Sequence, residues 1–469
     1  MKYSNPFTFG NPITDAARFV GRARQVEQVF SRLRNVEFES SSLVGERRVG
    51  KTSLLYHLAD AAVQRAHGLD PTRYHFLYVD LALVDAATTP ARLWQHLLSR
   101  LKISLPPALA ATFDDTAPPD NFALADLFDR LDAQGQYVVL LLDEFENVTR
   151  NANFGPDFFY GLRSLAIHHK LALITSSRRE LIELTHSDEI RSSPFFNIFA
   201  NINVRLFTAE EARALIANAL AGDAIAFAEP EMDALLEYAG AHPYFLQTAC
   251  HFLYEARAQT LPETAREKFW RGEFRKQAAP HLAEYWRHSD DKEKIVLAAL
   301  ALLESARVAP SNEWDTHALR ALAARSERVI AHLEKRGLTR RVQERQTPFS
   351  AYWSEWIVSA LSESSFELES GEIIPFTQAL QSALAQPDLN DATAADAELP
   401  AGLSARELEV LQLVASGMSD AQVARQLVLS PRTVSTHLQS IYNKLGVNSR
   451  VAATRFALER RLIRNSSKK

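Results

Sequence analysis

Residues 43–54, Leu-Val-Gly-Glu-Arg-Arg-Val-Gly-Lys-Thr-Ser-Leu, restrict the possible folds more than any other stretch. An apolar run enters the glycine-bounded pattern G-x-x-x-x-G-K-T, from Gly45 to Thr52. A run with apolar positions Leu54, Leu55, Leu58, Ala61 and Ala62 leaves it. A strand that turns through such a loop into a helix aims several backbone N–H groups at one concavity, and the amide dipoles and helix N-terminus favour an anion there. Gly45 and Gly50 allow conformations and close approaches that a Cβ would hinder. In that geometry Lys51 reaches the β- and γ-phosphates of a nucleotide, and the Thr52 hydroxyl ligates Mg²⁺. Alone, the pattern also fits a glycine turn ahead of a surface helix. The other half of the site decides between the two.

That half is the run Val138-Val-Leu-Leu-Leu142 followed by Asp143-Glu144. Five apolar residues without alternation read as a strand buried on both faces of a parallel sheet. Asp143 and Glu144 then fall at its C-terminal end, where open α/β sheets place their ligands. Asp143 can hold Mg²⁺, usually through water, and Glu144 can orient or deprotonate an attacking water. An acidic pair can also simply end a core strand in solvent. Beside the glycine loop it completes a nucleoside triphosphate site, with Lys51 and Glu144 as its catalytic residues.

At 469 residues the chain is too long for one ordinary core. Strands at 39–44, 74–81, 138–142, 170–177 and 202–207 alternate with helices at 24–33, 52–66 and 90–101. This pattern predicts an α/β, doubly wound parallel sheet over residues 15–220, with a surface loop at 110–121. The strand at 170–177 ends in Ser176-Ser177-Arg178-Arg179. Ser176 can bond the γ-phosphate or the attacking water. Arg178 or Arg179 can sense the phosphate or stand on a solvated helix start. Thr208, with Glu211 three residues on, forms a capping box opening the next helix. From residue 229 the pattern turns helical, and Gly240 with Pro243 marks a rigid helix boundary. Helices at 292–303, 316–324 and 326–336 lead into a strand and wing, predicting a winged helix. Such a unit can touch DNA, but without a strong basic surplus packing on the sheet domain is the favoured expectation. Residues 386–400 are polar and unpatterned, as in a flexible linker. The expected domains are thus 1–225, a helical lid at 226–290, a winged helix at 291–365, a linker at 366–400 and a helical module at 401–469.

That last module reads as four helices. Ser404 caps the first, Ser419 the second, and Ser430-Pro431 opens the third. Val434, Leu438, Ile441 and Leu445 form the buried stripe of the third, and Ser449 begins the fourth. The opposite face of the third helix carries Arg432, Ser435, Thr436, His437, Gln439 and Lys444. All of these can meet phosphates or base edges if that helix enters a major groove. The alternative is a small structural bundle. Charge favours the former, because residues 400–469 hold 11 Lys+Arg against 4 Asp+Glu, while the whole chain holds 52 against 57. A basic tail on an acidic body predicts contact with double-stranded DNA through residues 401–469.

A lone cysteine, Cys250, in an apolar setting excludes an internal disulfide and suits a reducing compartment. Met1–Gly10 lacks a basic segment followed by an apolar one, and no apolar run reaches transmembrane length. The expectation is a cytoplasmic protein with no membrane partner.

Two resemblances follow from these motifs. Leu403-Ser404-x-Arg406-Glu407, Val410-Leu411, Ala415-x-Gly417-x-Ser419, Ser430-Pro431-x-Thr433-Val434-x-x-His437 and Lys444-Leu445-Gly446-Val447-x-x-Arg450 closely resemble the LuxR-type DNA-binding domain. That resemblance implies DNA contacts from Thr433 and Arg450 as well, with Ser435 where family members often carry a basic residue. Residues 5–360 resemble STAND-type signal-transduction ATPases of the archaeal-ATPase-like branch. Gly45-Glu46-Arg47-Arg48-Val49-Gly50-Lys51-Thr52-Ser53 looks like that branch's P-loop, with Glu46 where proline is frequent. Gly21-Arg22 resembles the segment that closes over the base, and Gly240-Ala241-His242-Pro243 the lid element whose proline meets nucleotide. The combination resembles large ATP-dependent LuxR-family regulators. It implies ATP and Mg²⁺ as cofactors, slow hydrolysis as a switch, nucleotide-dependent self-association, and RNA polymerase as a further partner. An AAA+-like DNA-associated motor or initiator, and a STAND-type defence sensor with a nucleic-acid-binding tail, stand as alternatives.

Overall fold

The computed structural model describes residues 5–111, 119–184, 194–309, 314–367, 373–385, 405–415, 418–419, 422–423, 438, 441, 445, 447 and 450–459. It separates into two compact units, Met1–Leu319 with Glu327–Thr377, and Arg320–Ser326 with Gln378–Lys469.

The first unit is built on five parallel strands: β1 (Ser41–Val44), β2 (Tyr74–Asp80), β3 (Tyr137–Asp143), β4 (Leu171–Ser177) and β5 (Ala200–Asn203). Their order is β2-β3-β4-β1-β5. Helices α1 (Ala23–Leu33), α2 (Lys51–Ala59), α3 (Ala61–Ala66), α4 (Pro90–Ser104), α5 (Asn121–Ala133), α6 (Glu146–Arg150), α7 (Pro156–His168) and α8 (Ala209–Ala219) connect and flank them. The unalternating run of β3 is buried on both faces, as its composition requires. Val138, Leu140 and Leu142 join one core with Leu97, Leu127 and Leu162. Val139 and Leu141 join the other with Phe30, Leu54 and Leu58. Each such buried side chain contributes about 1.5–3 kcal/mol, so the sheet is a stiff base for its C-terminal edge. β4 stands between β1 and β3, which puts Ser176 between the glycine loop and the acidic strand end.

Two expectations are corrected here. The helix expected over 52–66 is interrupted, because Asp60 adopts an extended conformation (φ −70°, ψ 127°) and caps α3 through Ala62 N and Val63 N. The strand expected over 202–207 lies at Ala200–Asn203. Its partner β1 turns into the loop at Gly45, and the last register pair is Val44 with Asn203.

Helices α9 (Glu229–Tyr238), α10 (Pro243–Ala258), α11 (Glu263–Arg287), α12 (Asp291–Val308), α13 (Thr316–Arg325) and α14 (Glu327–Arg336) follow the sheet. The antiparallel hairpin β6 (Thr339–Val342) and β7 (Arg345–Pro348) comes next, then α15 (Ala351–Ala360). The two-residue turn Gln343-Glu344 has positive φ at both positions, which suits a tight hairpin. Residues 366–400 were expected as linker, yet β8 (Ser365–Glu367) pairs with β9 (Ile373–Pro375), and α16 (Phe376–Ala385) continues from it. The cause is the apolar content of this stretch: the Phe376 ring packs against Trp286, with ring centroids 5.4 Å apart. The polar stretch 386–400 lies outside the described residues.

In the second unit, α17 (Ala405–Ala415) and α18 (Arg450–Glu459) share one core: Val410, Leu411, Val414, Val423, Leu438, Ile441, Ala453 and Ala457. Leu438 and Ile441 come from the stripe expected of the third helix. Ser419 and Gln422 cap each other, Gln422 N donating to Ser419 Oγ and Ser419 N to Gln422 Oε1.

Candidate functional site

The glycine loop leaves β1 at Gly45, whose N–H donates to the Ser177 carbonyl at 3.1 Å. A Cβ at Gly45 would lie 2.4 Å from the Val204 carbonyl oxygen, so only glycine fits. The loop re-enters helix at Gly50, where φ is +98°. Lys51 is buried, and its ammonium donates to the carbonyls of Gly45 (2.8 Å) and Glu46 (3.1 Å). It is thus held inside the loop, where it can exchange these carbonyls for phosphate oxygens.

The acidic strand end meets the same loop. The Thr52 hydroxyl donates to Asp143 Oδ2 at 2.7 Å, and the Tyr78 hydroxyl donates to the same oxygen at 3.1 Å. The Ser176 hydroxyl donates to Asp143 Oδ1. The Glu144 N–H points to Asp143 Oδ1 and Ser176 Oγ, each at 3.2 Å. Glu144 itself has φ +53°, a left-handed conformation costing on the order of 1 kcal/mol for a residue with a Cβ. Its carboxyl is raised above the usual range, first by burial and then by the charge of Glu146, with Lys51 opposing. A raised carboxyl suits a group that accepts a proton from water. Among the described residues no cluster of three His, Cys, Asp or Glu can cage a metal. The Thr52 hydroxyl and Asp143 carboxylate instead form a hard oxygen pair, open to a Mg²⁺ shared with phosphate.

Two adjoining cavities lie beside this cluster, with Thr52 and Glu144 on the wall of one and Asp143, Ser176 and Tyr78 behind it. One, of about 340 Å³, is lined by Arg47, Arg48, Lys51, Thr52 and Glu144. The other, of about 280 Å³, is more apolar and is lined by Phe19, Val20, Arg22, Val49, Phe207 and Leu215. Gly21 and Arg22 both have positive φ. Arg22 is buried, donates to the Val49 carbonyl at 2.9 Å and stacks over Phe207 at 4.5 Å. Burial lowers its guanidinium to about 10, against the pull of Glu211. Glu211, expected only as a capping residue, also accepts the Arg22 N–H at 2.6 Å. Ser53 Oγ accepts the Ile13 N–H at 3.0 Å, tying the segment before Gly21 to the loop.

The lid element contributes Pro243, which opens α10 and lines both cavities. Beside it His242 is fully buried and lowered to about 3, mainly by desolvation. His242 Nε2 meets the Tyr285 hydroxyl at 3.0 Å, and that hydroxyl donates to the Arg47 carbonyl at 2.7 Å. The two loop arginines turn towards the same helices. Arg47 pairs with Glu284 at 2.8 Å, and Arg48 lies 4.4 Å over the Tyr244 ring. Arg178 does not line the phosphate-side cavity; its Nε lies 3.5 Å from Glu146 Oε1, a buried carboxylate. Cys250 is buried, its thiol pushed up by desolvation.

Glu46 is held from the other side. Arg336 of α14 donates from Nε to Glu46 Oε1 at 2.6 Å and from Nη1 to Glu293 Oε2 at 2.5 Å, and all three residues are buried. Lys335 pairs with Glu180 at 2.5 Å. The helix preceding the hairpin therefore packs on the glycine loop. Tyr78, Glu211, Tyr285 and Arg336 were not recognisable as site residues from sequence. Only Glu211 carried a local signal, the capping box.

Of the expected DNA contacts, Arg450 is described, and its guanidinium donates to the Met418 carbonyl within its own unit. Arg432, Thr433, Ser435, Thr436, His437, Gln439 and Lys444 lie outside the described residues.

Fold and site together define a P-loop NTPase joined to a small helical module. The profile of the family described as Novel STAND NTPase 2 matches residues 33–299, more than half of the chain. The chain belongs to that family. The profile of the luxR family of bacterial regulatory proteins matches residues 401–457, so the C-terminal module is a LuxR-type helix-turn-helix DNA-binding domain. Among curated proteins, the probable transcriptional regulatory protein NarL of Mycobacterium tuberculosis is 49% identical over 61 residues, 13% of this chain and 28% of its own length. The nitrate/nitrite response regulator protein NarP of Escherichia coli is 46% identical over 59 residues, 13% and 27%. The chain thus spans under a third of the length of these relatives. Among solved structures, the Walker-type ATPase of Pyrococcus abyssi aligns with TM-score 0.46 and 16% identity over 74% of this chain and 98% of its own. The Aeropyrum pernix ORC2 protein aligns with TM-score 0.49 and 12% identity over 82% and 99%. Among the described residues no helix is long and apolar enough to cross a membrane.

Proposed function

We propose that this protein is an ATP-dependent transcriptional regulator in which nucleotide binding and slow hydrolysis switch the C-terminal domain for sequence-specific DNA binding. The observation that carries the reading is the meeting of Thr52 and Asp143 at 2.7 Å beside the loop-bound Lys51, in a chain that also holds a LuxR-type domain. ATP occupies the two cavities, its base beside Arg22 and Pro243 and its phosphates on the backbone of residues 45–53. Thr52 and Asp143 would hold a Mg²⁺, which would supply positive charge to offset that of the phosphates. Lys51 exchanges its loop carbonyls for phosphate oxygens. Glu144 takes the proton of the attacking water, which bonds to the γ-phosphorus as the bond to the β-phosphate oxygen breaks. Residues 1–225 serve as the ATPase domain, 226–290 as the lid, 291–365 as the winged helix and 401–469 as the reader of double-stranded DNA. The site of action is the cytoplasm, with RNA polymerase as a downstream partner.

A single small reader spans a short half-site, so specific binding requires two of them together. ATP-dependent self-association of the first 365 residues supplies the pair by raising effective concentration. Genome-wide immunoprecipitation of tagged protein, with and without Lys51→Ala, tests the reading. Discrete promoter sites lost in the variant support it. ATP turnover strongly stimulated by any duplex favours a motor, and the absence of promoter sites favours a defence sensor.

A further inference from the structure

The two cavities share five residues: Ile13, Gly50, Ser53, Pro243 and Gln247. One cavity is the more apolar, with Phe19, Val20, Val49 and Phe207 beside Arg18, Arg22 and Asn218. The other holds Lys51, Thr52 and Glu144, so a nucleotide spanning both places its base in the first and its phosphates in the second. The sugar then falls at the boundary, against the shared residues. Gly50, Ile13 and Pro243 offer no side-chain hydrogen bond there. The Ser53 hydroxyl accepts the Ile13 N–H and keeps one O–H to donate, so by itself it can meet only one of two neighbouring hydroxyls as donor. Gln247 lies one helical turn after Pro243 on the same face of α10. It is half-buried, and among the described residues its carboxamide makes no hydrogen bond. A carboxamide both donates and accepts, matching a pair of neighbouring hydroxyls that each do the same.

We propose that Gln247 is a specificity-determining residue that recognises the ribose 2′- and 3′-hydroxyls, so that the site selects ribonucleotides over deoxyribonucleotides. This rests on the ATP reading above, and the test separates the two. Binding of ATP, 2′-deoxy-ATP and 3′-deoxy-ATP to the full chain is measured by calorimetry with Mg²⁺, using wild type, Gln247→Leu, Gln247→Glu and Lys51→Ala. One neutral hydrogen bond corresponds to roughly a 3- to 10-fold change in affinity. Wild type should therefore bind ATP about 3- to 10-fold more tightly than each deoxy analogue. Gln247→Leu, which loses both bonds, should weaken ATP by about 10- to 100-fold and each deoxy analogue, which already lacks one bond, by about 3- to 10-fold. The variant then binds all three about equally, and that retained binding also shows it is folded. Gln247→Glu, whose carboxylate can accept from both hydroxyls, should keep the preference for ATP over each deoxy analogue. Wild type binding all three equally, or Gln247→Leu keeping the wild-type preference, overturns the proposal while leaving the ATP site intact. Equal weakening of all three ligands in both Gln247 variants overturns it in favour of a packing role. If wild type binds no ATP, or binds it as Lys51→Ala does, the ATP reading itself fails.

Discussion

Arg336 offers the sharpest test of how α14 is attached to the glycine loop. Its guanidinium bridges Glu46 and Glu293, and the three residues are 8%, 7% and 2% exposed. Replacing it by methionine removes the positive charge and leaves two buried carboxylates without a cation of full charge, Glu293 keeping the Asp290 N–H at 2.9 Å and His332 at 3.4 Å. Uncompensated buried charge of this kind costs about 3–5 kcal/mol. The pair itself contributes much less, because desolvation of three ions offsets most of their attraction. The triple variant Glu46→Gln, Glu293→Gln, Arg336→Met should therefore recover all but about 1–2 kcal/mol of the loss. Urea denaturation followed by tryptophan fluorescence reads this directly, since Trp286, Trp353 and Trp356 all lie in the first unit. A loss below about 1 kcal/mol for Arg336→Met would refute the buried-charge argument, as would a triple variant no more stable than the single one.

Three further outcomes follow from the same geometry. Lys51→Ala should weaken ATP binding severely, whereas Glu144→Gln should keep binding and lose turnover, measured by calorimetry and phosphate release; a fully active Glu144→Gln removes Glu144 as the base. His242 stays neutral in the folded protein down to about pH 3, while the unfolded chain takes up that proton near pH 6.5. Its contribution is thus neutral above pH 6.5 and destabilising below, reaching about 2 kcal/mol at pH 5. Denaturation at both pH values should show a smaller pH dependence in His242→Gln by that amount, and an unchanged dependence would contradict the assigned burial effect. Residues 399–469 alone should bind duplex DNA with a slope of log K against log salt near −4 to −5, for about 4 to 6 neutralised phosphates; salt-independent binding would count against a phosphate-tracking reader.

The parts of this site that were legible in the sequence are those written in local pattern. The unalternating run before Asp143 announces a strand buried on both sides, and the glycine spacing announces the loop. Ser176 followed because a polar strand end beside an acidic one has few other places to be. What escaped depends on residues far apart in the chain. Arg336 reaches Glu46 across 290 positions and Arg22 reaches Glu211 across 189, and no local periodicity encodes either pairing. The break at Asp60 escaped for a different reason. Apolar spacing continues through it, and only the carboxylate capping the next two amides reveals that one helix ends and another starts. Residues 373–376 fell inside the expected linker although Ile373, Ile374 and Phe376 are apolar, and it is Phe376 that packs on Trp286, far away in the chain.

The central claim is that nucleotide governs DNA binding by the whole chain and not by its reader alone. Full-length protein, Lys51→Ala and isolated residues 399–469 should be titrated onto a promoter duplex with ATP, ADP or no nucleotide, and their masses followed by light scattering. The account predicts that ATP raises both the mass and the DNA affinity of wild type together, leaves Lys51→Ala unresponsive, and has no effect on the isolated reader. A rise in affinity at constant mass would contradict pairing and point to release of a restrained reader. Equal affinity in all three nucleotide states would contradict the switch itself.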